Sequence, residues 1–426
     1  MYTLEDWVRH GDELRRPLLV SKGLVDSESL GIVGGGLSGL SLAYRIGLER
    51  PDLPIKLIEK TGRLGGVIET WREDEWVCDI SVNAVRPHPS FWRLVDDLGM
   101  SDSFGPSRGI ASSRWIILRG GKHRISPATI LKRGAFGFLR GAFNSRKVGS
   151  SVLDVLQNRE IADAMTLGIV NDTADQVDAN FLFPSLTGFG PKAPISRRSL
   201  RKKISKSYPI FTPRKGSLAS LEGGMEDIIR VLHDTISKMG NIEIILENGE
   251  GGPEELSSAY DIPISSMIWT SSLPGRDHGE TTLSVFAVGF QEEVVSGVEI
   301  GYGTLIPDPN TPISGILHES DIHSSRRAPE GHRLFRLMVP HTRWDGNEQT
   351  VREALRGLNG FSREPAIFRR IGERAIPRYP PGYLSSLKNY AGDLSLAGWT
   401  GSGVSVTHVV DEAERISELF TRLQKD

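Results

Sequence analysis

The chain has 426 residues, room for two or three domains with ample core. Its 38% hydrophobic and 24% charged content is that of a globular protein, and a net charge of −2 singles out no class of partner. One cysteine, Cys78, excludes a disulfide framework and a cysteine metal site and points to a reducing compartment; the 10 histidines show no metal-ligand spacing.

In chain order, residues 1–28 carry Glu5, Asp6 and Glu13, which a mitochondrial presequence avoids; they read as a short lead-in helix, with a disordered tail as the alternative. Leu30-Gly31-Ile32-Val33 reads as a buried strand that turns through Gly34, Gly35 and Gly36 into a helix opened by Leu37, Ser38 and Gly39. Gly34, Gly36 and Gly39 stand in G-x-G-x-x-G spacing: a tight turn, room for a pyrophosphate against the backbone, and close helix–strand packing. The helix start adds free N–H groups and a positive dipole end. A second apolar strand ends at Glu59-Lys60, about twenty residues on, where a ribose-binding acid belongs. Arg63-Leu64-Gly65-Gly66 follows, an arginine and bare backbone suited to a diphosphate. Cys78, in Trp76-Val77-Cys78-Asp79-Ile80, reads as a buried strand residue.

Residues 103–153 contain no acid but carry Arg108, Arg114, Arg119, Lys122, Arg124 and further bases; 179–221 repeat the pattern. Such a segment suits an anionic bilayer or a carboxylate-bearing substrate, or is simply a solvated face; nucleic acid is not expected without a reading motif. Residues 226–236 read as an amphipathic helix, and 242–246 and 267–269 as strands. Residues 281–290, 301–306, 315–318 and 334–339 alternate or run apolar as an antiparallel sheet does. A last strand spans 394–398, and Val406, Val409, Val410, Ala413, Ile416 and Phe420 recur at helical spacing. No window approaches the roughly eighteen unbroken apolar residues of a membrane span.

The FAD-side blocks resemble the flavin amine oxidase superfamily, and further blocks resemble its protoporphyrinogen oxidase family. These are Ile80 to Pro87, Ser113-Arg114-Trp115-Ile116-Ile117, Phe183-Pro184-Ser185-Leu186, Leu221-Glu222-Gly223-Gly224-Met225, Gly301-Tyr302-Gly303-Thr304-Leu305, Ala375-Ile376-Pro377-Arg378-Tyr379, and Leu396-Ala397-Gly398 through Gly403-Val404-Ser405-Val406. The chain departs from the family at Val82-Asn83-Ala84, at Met338-Val339-Pro340-His341 and at Thr407-His408. The resemblance implies an α/β fold: a Rossmann-type FAD-binding domain (29–98, 217–272 and 371–426), an antiparallel-sheet substrate domain (273–370) and a helical basic insertion (99–216). The N-terminal extension, 1–28, stands outside these.

It further implies FAD held by Gly34, Gly35, Gly36, Leu37, Ser38, Gly39, Glu59, Lys60, Arg63, Gly65, Gly66, Gly398, Gly403, Val404 and Val406. Val404 and Val406 have an ordinary core reading beside this one. Arg114, Tyr302, Gly303, Leu305 and His341 are the implied substrate residues, with Arg114 on a carboxylate and Gly303 letting a flat ring approach. No carboxylate pair or activated nucleophile is visible, so the reactive group is the cofactor and no catalytic side chain is assigned. The implied reaction is hydride transfer from a small molecule to flavin with O2 as acceptor, protoporphyrinogen IX to protoporphyrin IX in haem synthesis. A diverged flavoenzyme with another substrate and a flavin-binding scaffold without turnover are the alternatives. No metal is expected. Peripheral membrane contact through the insertion and a homodimer stay open. A haem-pathway enzyme would sit peripherally at the mitochondrial inner membrane; the alternatives would be cytoplasmic.

Overall fold

The computed structural model describes residues 17–86, 88–118, 121–126, 141, 144, 147–183, 218–271, 279–388 and 390–422. Nearly half of the basic insertion, including Arg119 and the run from Lys132 to Arg140, lies outside them, as do residues 1–16.

Strand β1 (Leu30–Val33) leads through the glycine turn into helix α1 (Leu37–Glu49), and β2 (Ile55–Ile58) follows parallel to β1. A hairpin, β3 (Thr70–Glu73) and β4 (Trp76–Asp79), leaves this layer. Three short strands come next: β5 (Phe104–Pro106), β6 (Arg114–Leu118) and β7 (Gly121–Arg124). After β8 (Ala219–Leu221), which pairs with β5, the chain returns through α2 (Glu226–Ile236), β9 (Ile242–Ile245) and β10 (Met267–Trp269). The long strands β11 (Glu280–Gln291), β14 (His332–Pro340) and β15 (Ile367–Pro377) enclose the shorter β12 (Gly303–Leu305) and β13 (Gly315–Leu317) in sequence. Finally β16 (Ser395–Leu396) leads to α3 (Val406–Arg422).

Two sheets result. The parallel sheet has the order β16-β10-β1-β2-β9. Its inner strands β1 and β10 are apolar on both sides because both faces are covered. Ile32, Leu57 and Ile268 pack toward α1, α2 and α3, while their neighbours Val33, Ile58 and Trp269 pack toward Val152, Phe181 and Tyr379. The α2 face expected at helical spacing is realised: Ile228, Ile229, Leu232 and Ile236 are buried, each worth about 1.5–3 kcal/mol. The N-terminal segment adds Leu19 to the edge, accepting the Leu396 N–H at 2.7 Å. Cys78 is buried on β4.

The second sheet runs β15-β11-β14-β13-β12-β6-β7 and is antiparallel except at β12/β6. Two expected boundaries therefore move. Residues 114–118 and 121–124 are strands of the substrate sheet rather than part of a helical insertion, β6 completing the edge of β12 and β7 pairing with β6. Likewise β15 stays in that sheet to Pro377, past the expected border at 370, held by its pairing to β11 from Gly289↔Ile367 to Glu280↔Pro377. Among the described residues no helix is long and apolar enough to cross a membrane.

Candidate cofactor and substrate site

The glycine turn takes the shape its spacing predicts. Gly34 has φ +107°, and a Cβ there would lie 2.6 Å from Thr270 Oγ1. A Cβ on Gly39 would lie 1.9 Å from the Gly34 carbonyl oxygen, so helix and turn touch backbone to backbone. Gly36 differs: its Cβ would meet only the Gly66 Cα, at 3.9 Å, and otherwise point into open space. Gly36 N-caps α1 without a side-chain hydrogen bond. In the first turn the Ser38 hydroxyl is buried and has no partner among the described residues. Gly398 stands opposite, where a Cβ would come within 3.1 Å of Ser38 Oγ. An orphaned hydroxyl, uncapped N–H groups and bare backbone on facing walls make a cradle that fits a diphosphate.

Around this cradle several expected ligands are engaged in building its walls. Glu59 accepts the Gly35 N–H at 2.7 Å with one oxygen and the Thr61 N–H and hydroxyl, both at 2.9 Å, with the other. It thus staples the turn while its remaining lone pairs stay open to a ribose hydroxyl. Arg63 does not project as a free fork: it donates to the carbonyls of Leu64 (3.0 Å) and Gly66 (2.6 Å) and lies 3.7 Å from Glu226. Its guanidinium braces the loop that presents Gly65 and Gly66; Gly65 N donates to the Gly35 carbonyl at 2.8 Å. Lys60 is exposed beside the loop. Gly398 donates its N–H to the buried Glu412 carboxylate at 2.6 Å, and Gly403, at φ +71°, turns the chain toward α3. Val404 and Val406 are partly buried against the two core clusters, which favours their core reading.

The substrate residues divide. The parallel register sets Gly303 against Arg114, Thr304 against Trp115 and Leu305 against Ile116. The Arg114 guanidinium stacks on the Tyr302 ring at 4.4 Å from its centroid, and the Tyr302 hydroxyl lies 3.5 Å from Asn83 Oδ1. Asn83 is buried, and its Nδ2 has no partner among the described residues. Arg114, Tyr302 and Leu305 thus share one strand junction. Gly303 corrects the expectation of ring approach: a Cβ there would lie 2.4 Å from the Ile316 carbonyl oxygen, so sheet packing demands the glycine. His341 is also corrected. It follows β14 at the far end of the sheet, 3.0 Å from Ser284 Oγ and 3.7 Å from Glu373, because β14 runs on to Pro340, past Arg336, which shares a row with Leu317 and Gly303.

The sequence reading passed over the buried charges behind this junction. Arg336 on β14 pairs with Glu319 at 2.9 Å, which lies 3.0 Å from His323 Nε2. Arg336 also donates to the carbonyls of Asp79 and, at 3.3 Å, Ser81; Arg327 lies 3.8 Å from Asp79 Oδ2. Burial alone would raise the Glu319 carboxyl, but Arg336 and then His323 hold it down at about 2. Burial leaves Asp79 above the usual carboxylate range despite Arg327 and Thr70, and drives the Cys78 thiol up. Asp79 Oδ1 accepts from Thr70 Oγ1 (2.7 Å) and from the Met225 N–H (2.8 Å) just before α2. The sequence did hold a signal: Arg333 and Arg336 interrupt an otherwise apolar strand, and charges there need partners. Among the described residues no cluster of His, Cys, Asp and Glu converges as a metal site.

Fold and cradle together define a dinucleotide-binding flavoenzyme of the amine oxidase type, an oxidoreductase class. Residues 32–98 match the NAD(P)-binding Rossmann-like domain family. The chain is 21% identical to coproporphyrinogen III oxidase of Staphylococcus aureus, over 85% of this chain and 91% of that one. It is 24% identical to the chloroplastic/mitochondrial protoporphyrinogen oxidase 2 of Arabidopsis thaliana, over 85% and 87%. The crystal structure of a putative protoporphyrinogen oxidase from Exiguobacterium superposes with a TM-score of 0.64 at 17% identity, covering 93% of this chain and 99% of that one. Within this class the chain is similar to the coproporphyrinogen and protoporphyrinogen oxidases along most of its length, at the low identity of a diverged relative.

Proposed function

We propose that the protein holds FAD and oxidises a carboxylate-bearing small molecule of the porphyrinogen kind, with O2 as electron acceptor. Bound FAD supplies a two-electron acceptor, chemistry that no side chain here provides. The Gly34–Gly36 turn and the start of α1 would hold the pyrophosphate, with the Ser38 hydroxyl available to donate to it and the Glu59 carboxylate available to accept from a ribose hydroxyl. The observation that carries the substrate reading is the Arg114–Tyr302 stack. Tyr302 orients the guanidinium from below, and no carboxylate among the described residues pairs with Arg114, so a charge-assisted fork is available to a substrate carboxylate. The apolar face of Tyr302 then supports the substrate ring. A second reading, a smaller polar substrate, is favoured by the unpartnered Asn83 Nδ2 beside the Tyr302 hydroxyl.

The test is turnover of coproporphyrinogen III and protoporphyrinogen IX by the yellow, flavin-loaded protein. Arg114→Ala is expected to raise the apparent substrate constant by about 1.5–3 kcal/mol, the worth of a charged hydrogen bond, with bound flavin unchanged. An unaltered constant with a carboxylated substrate refutes the role of Arg114. A colourless wild-type protein with no flavin refutes the enzyme reading.

A further inference from the structure

We propose that Asp321 is a positioning residue of the substrate site: its buried carboxylate fixes the Gly301 amide and thereby holds the Tyr302 ring beneath the Arg114 guanidinium. The inference rests on the reading of that junction as the place where a substrate carboxylate binds.

Tyr302 enters the junction just ahead of β12, before the regular ladder begins, so its placement depends on individual contacts. Three hydrogen bonds set it. The Tyr302 N–H donates to the Ser113 carbonyl at 2.8 Å, and its carbonyl accepts the His318 N–H at 3.0 Å. The third comes from a side chain: the Gly301 N–H donates to Asp321 Oδ2 at 3.1 Å. Gly301 has no room for a side chain of its own, since a Cβ would lie 2.6 Å from the Ser113 carbonyl oxygen. The anchor has to come from elsewhere in the chain, and Asp321 provides it across 20 residues.

Asp321 is itself immobilised. The same Oδ2 accepts from Arg333 Nη2 at 2.9 Å and lies 3.4 Å from His318 Nδ1. Arg333 Nη1 reaches on to the carbonyls of Val295 and Val298, both at 3.1 Å, tying the carboxylate to the loop that delivers Gly301. Asp321 is only 4% exposed. Burial would push its carboxyl up, yet the His318 contact and then Arg333 leave it below the ordinary carboxylate range, ionised and acceptor-only. A carboxylate that served only to neutralise Arg333 would not need to reach the peptide next to Tyr302. Here one oxygen serves both.

The experiment titrates coproporphyrin III, a stable tetracarboxylated porphyrin, by its fluorescence against the flavin-loaded full chain. Hydrogen exchange over residues 299–305 is followed in parallel. Asp321→Ala is expected to weaken porphyrin binding about tenfold, the worth of one buried hydrogen bond acting through Arg114, and to speed exchange at Gly301. Asp321→Asn keeps an oxygen for the Gly301 N–H, so affinity stays within about threefold although the charge is gone. Combining Asp321→Ala with Arg114→Ala is expected to bind no worse than Arg114→Ala alone, because one acts through the other. Faster exchange with wild-type affinity in Asp321→Ala overturns the proposal and leaves the substrate reading standing. A wild-type protein that does not bind the porphyrin overturns the substrate reading instead. Unchanged exchange at Gly301 overturns the clamp in either case. Should Asp321→Ala fail to fold, Asp321→Asn decides alone: a folded protein that loses tenfold or more shows that charge, not the Gly301 bond, matters, and the proposal falls.

Discussion

Replacing Arg336 by methionine tests the charge network that joins the large antiparallel sheet to the β3–β4 hairpin. The substitution keeps much of the side-chain volume on β14 but removes the 2.9 Å partner of Glu319 and the donor to the Asp79 and Ser81 carbonyls. Glu319 is 1% exposed and would be left with His323 at 3.0 Å as its nearest polar contact. Breaking one half of a buried ion pair costs about 3–5 kcal/mol, chiefly from the charge left behind. The double variant Arg336→Met/Glu319→Leu removes both charges and is expected to cost clearly less than the sum of the two single changes. The assay is urea unfolding followed by far-ultraviolet circular dichroism, with flavin release recorded on the same samples. Asp79 also caps the approach to α2 through the Met225 N–H, so Arg336→Met should loosen flavin retention together with stability. A loss below about 1 kcal/mol in the single variant, or strict additivity in the double, refutes the reasoning.

Gly36→Val is expected to abolish flavin retention while the protein still folds, because the new side chain occupies space that only the Gly66 Cα borders; flavin absorbance per mole of purified protein checks it. Glu59→Ala should weaken retention less, and normal flavin content in Gly36→Val would refute the cradle. Tyr302→Phe should alter the substrate constant little, since the 3.5 Å contact to Asn83 is long, whereas Tyr302→Ala should raise it by removing the ring under Arg114. A severe Tyr302→Phe defect would favour the polar substrate. Acid unfolding should report Glu319: a carboxyl lowered from 4.5 to about 2 stabilises the fold fully above pH 4.5 and loses that contribution, about 3 kcal/mol, as pH falls through about 2. Glu319→Gln should flatten the stability profile across that window.

The dinucleotide half was legible because its signals are local. Gly34, Gly36 and Gly39 answer to a turn and a helix start only a few residues long, and periodicity found α2 and α3 with little error. The substrate half was legible strand by strand but not in its assembly. Nothing near Arg114 announces that its strand pairs with one almost two hundred residues later, so the sequence alone leaves 114–124 within the helical insertion. His341 was placed by a block resemblance, whereas its position is set by how far β14 runs past the row of Arg336 and Gly303. Asp321, Glu319 and Arg336 escaped notice for the same reason. A buried ion pair is a relation between distant positions, and each partner alone looks like a surface charge.

The parallel β6/β12 pairing has a consequence for how such a chain tolerates change. Arg114 and Tyr302 meet through sheet register, which ties Gly303 to Arg114 whatever the intervening chain does. A one-residue slip would carry every side chain of β12 to the opposite face and separate the pair. Lengthening or shortening the excursion between β7 and β8 would leave the register untouched, since loop-closure entropy grows only slowly with length. The Arg114–Tyr302 geometry is therefore insulated from insertions in that segment outside Val152 to Phe181, the part whose side chains cover the parallel sheet.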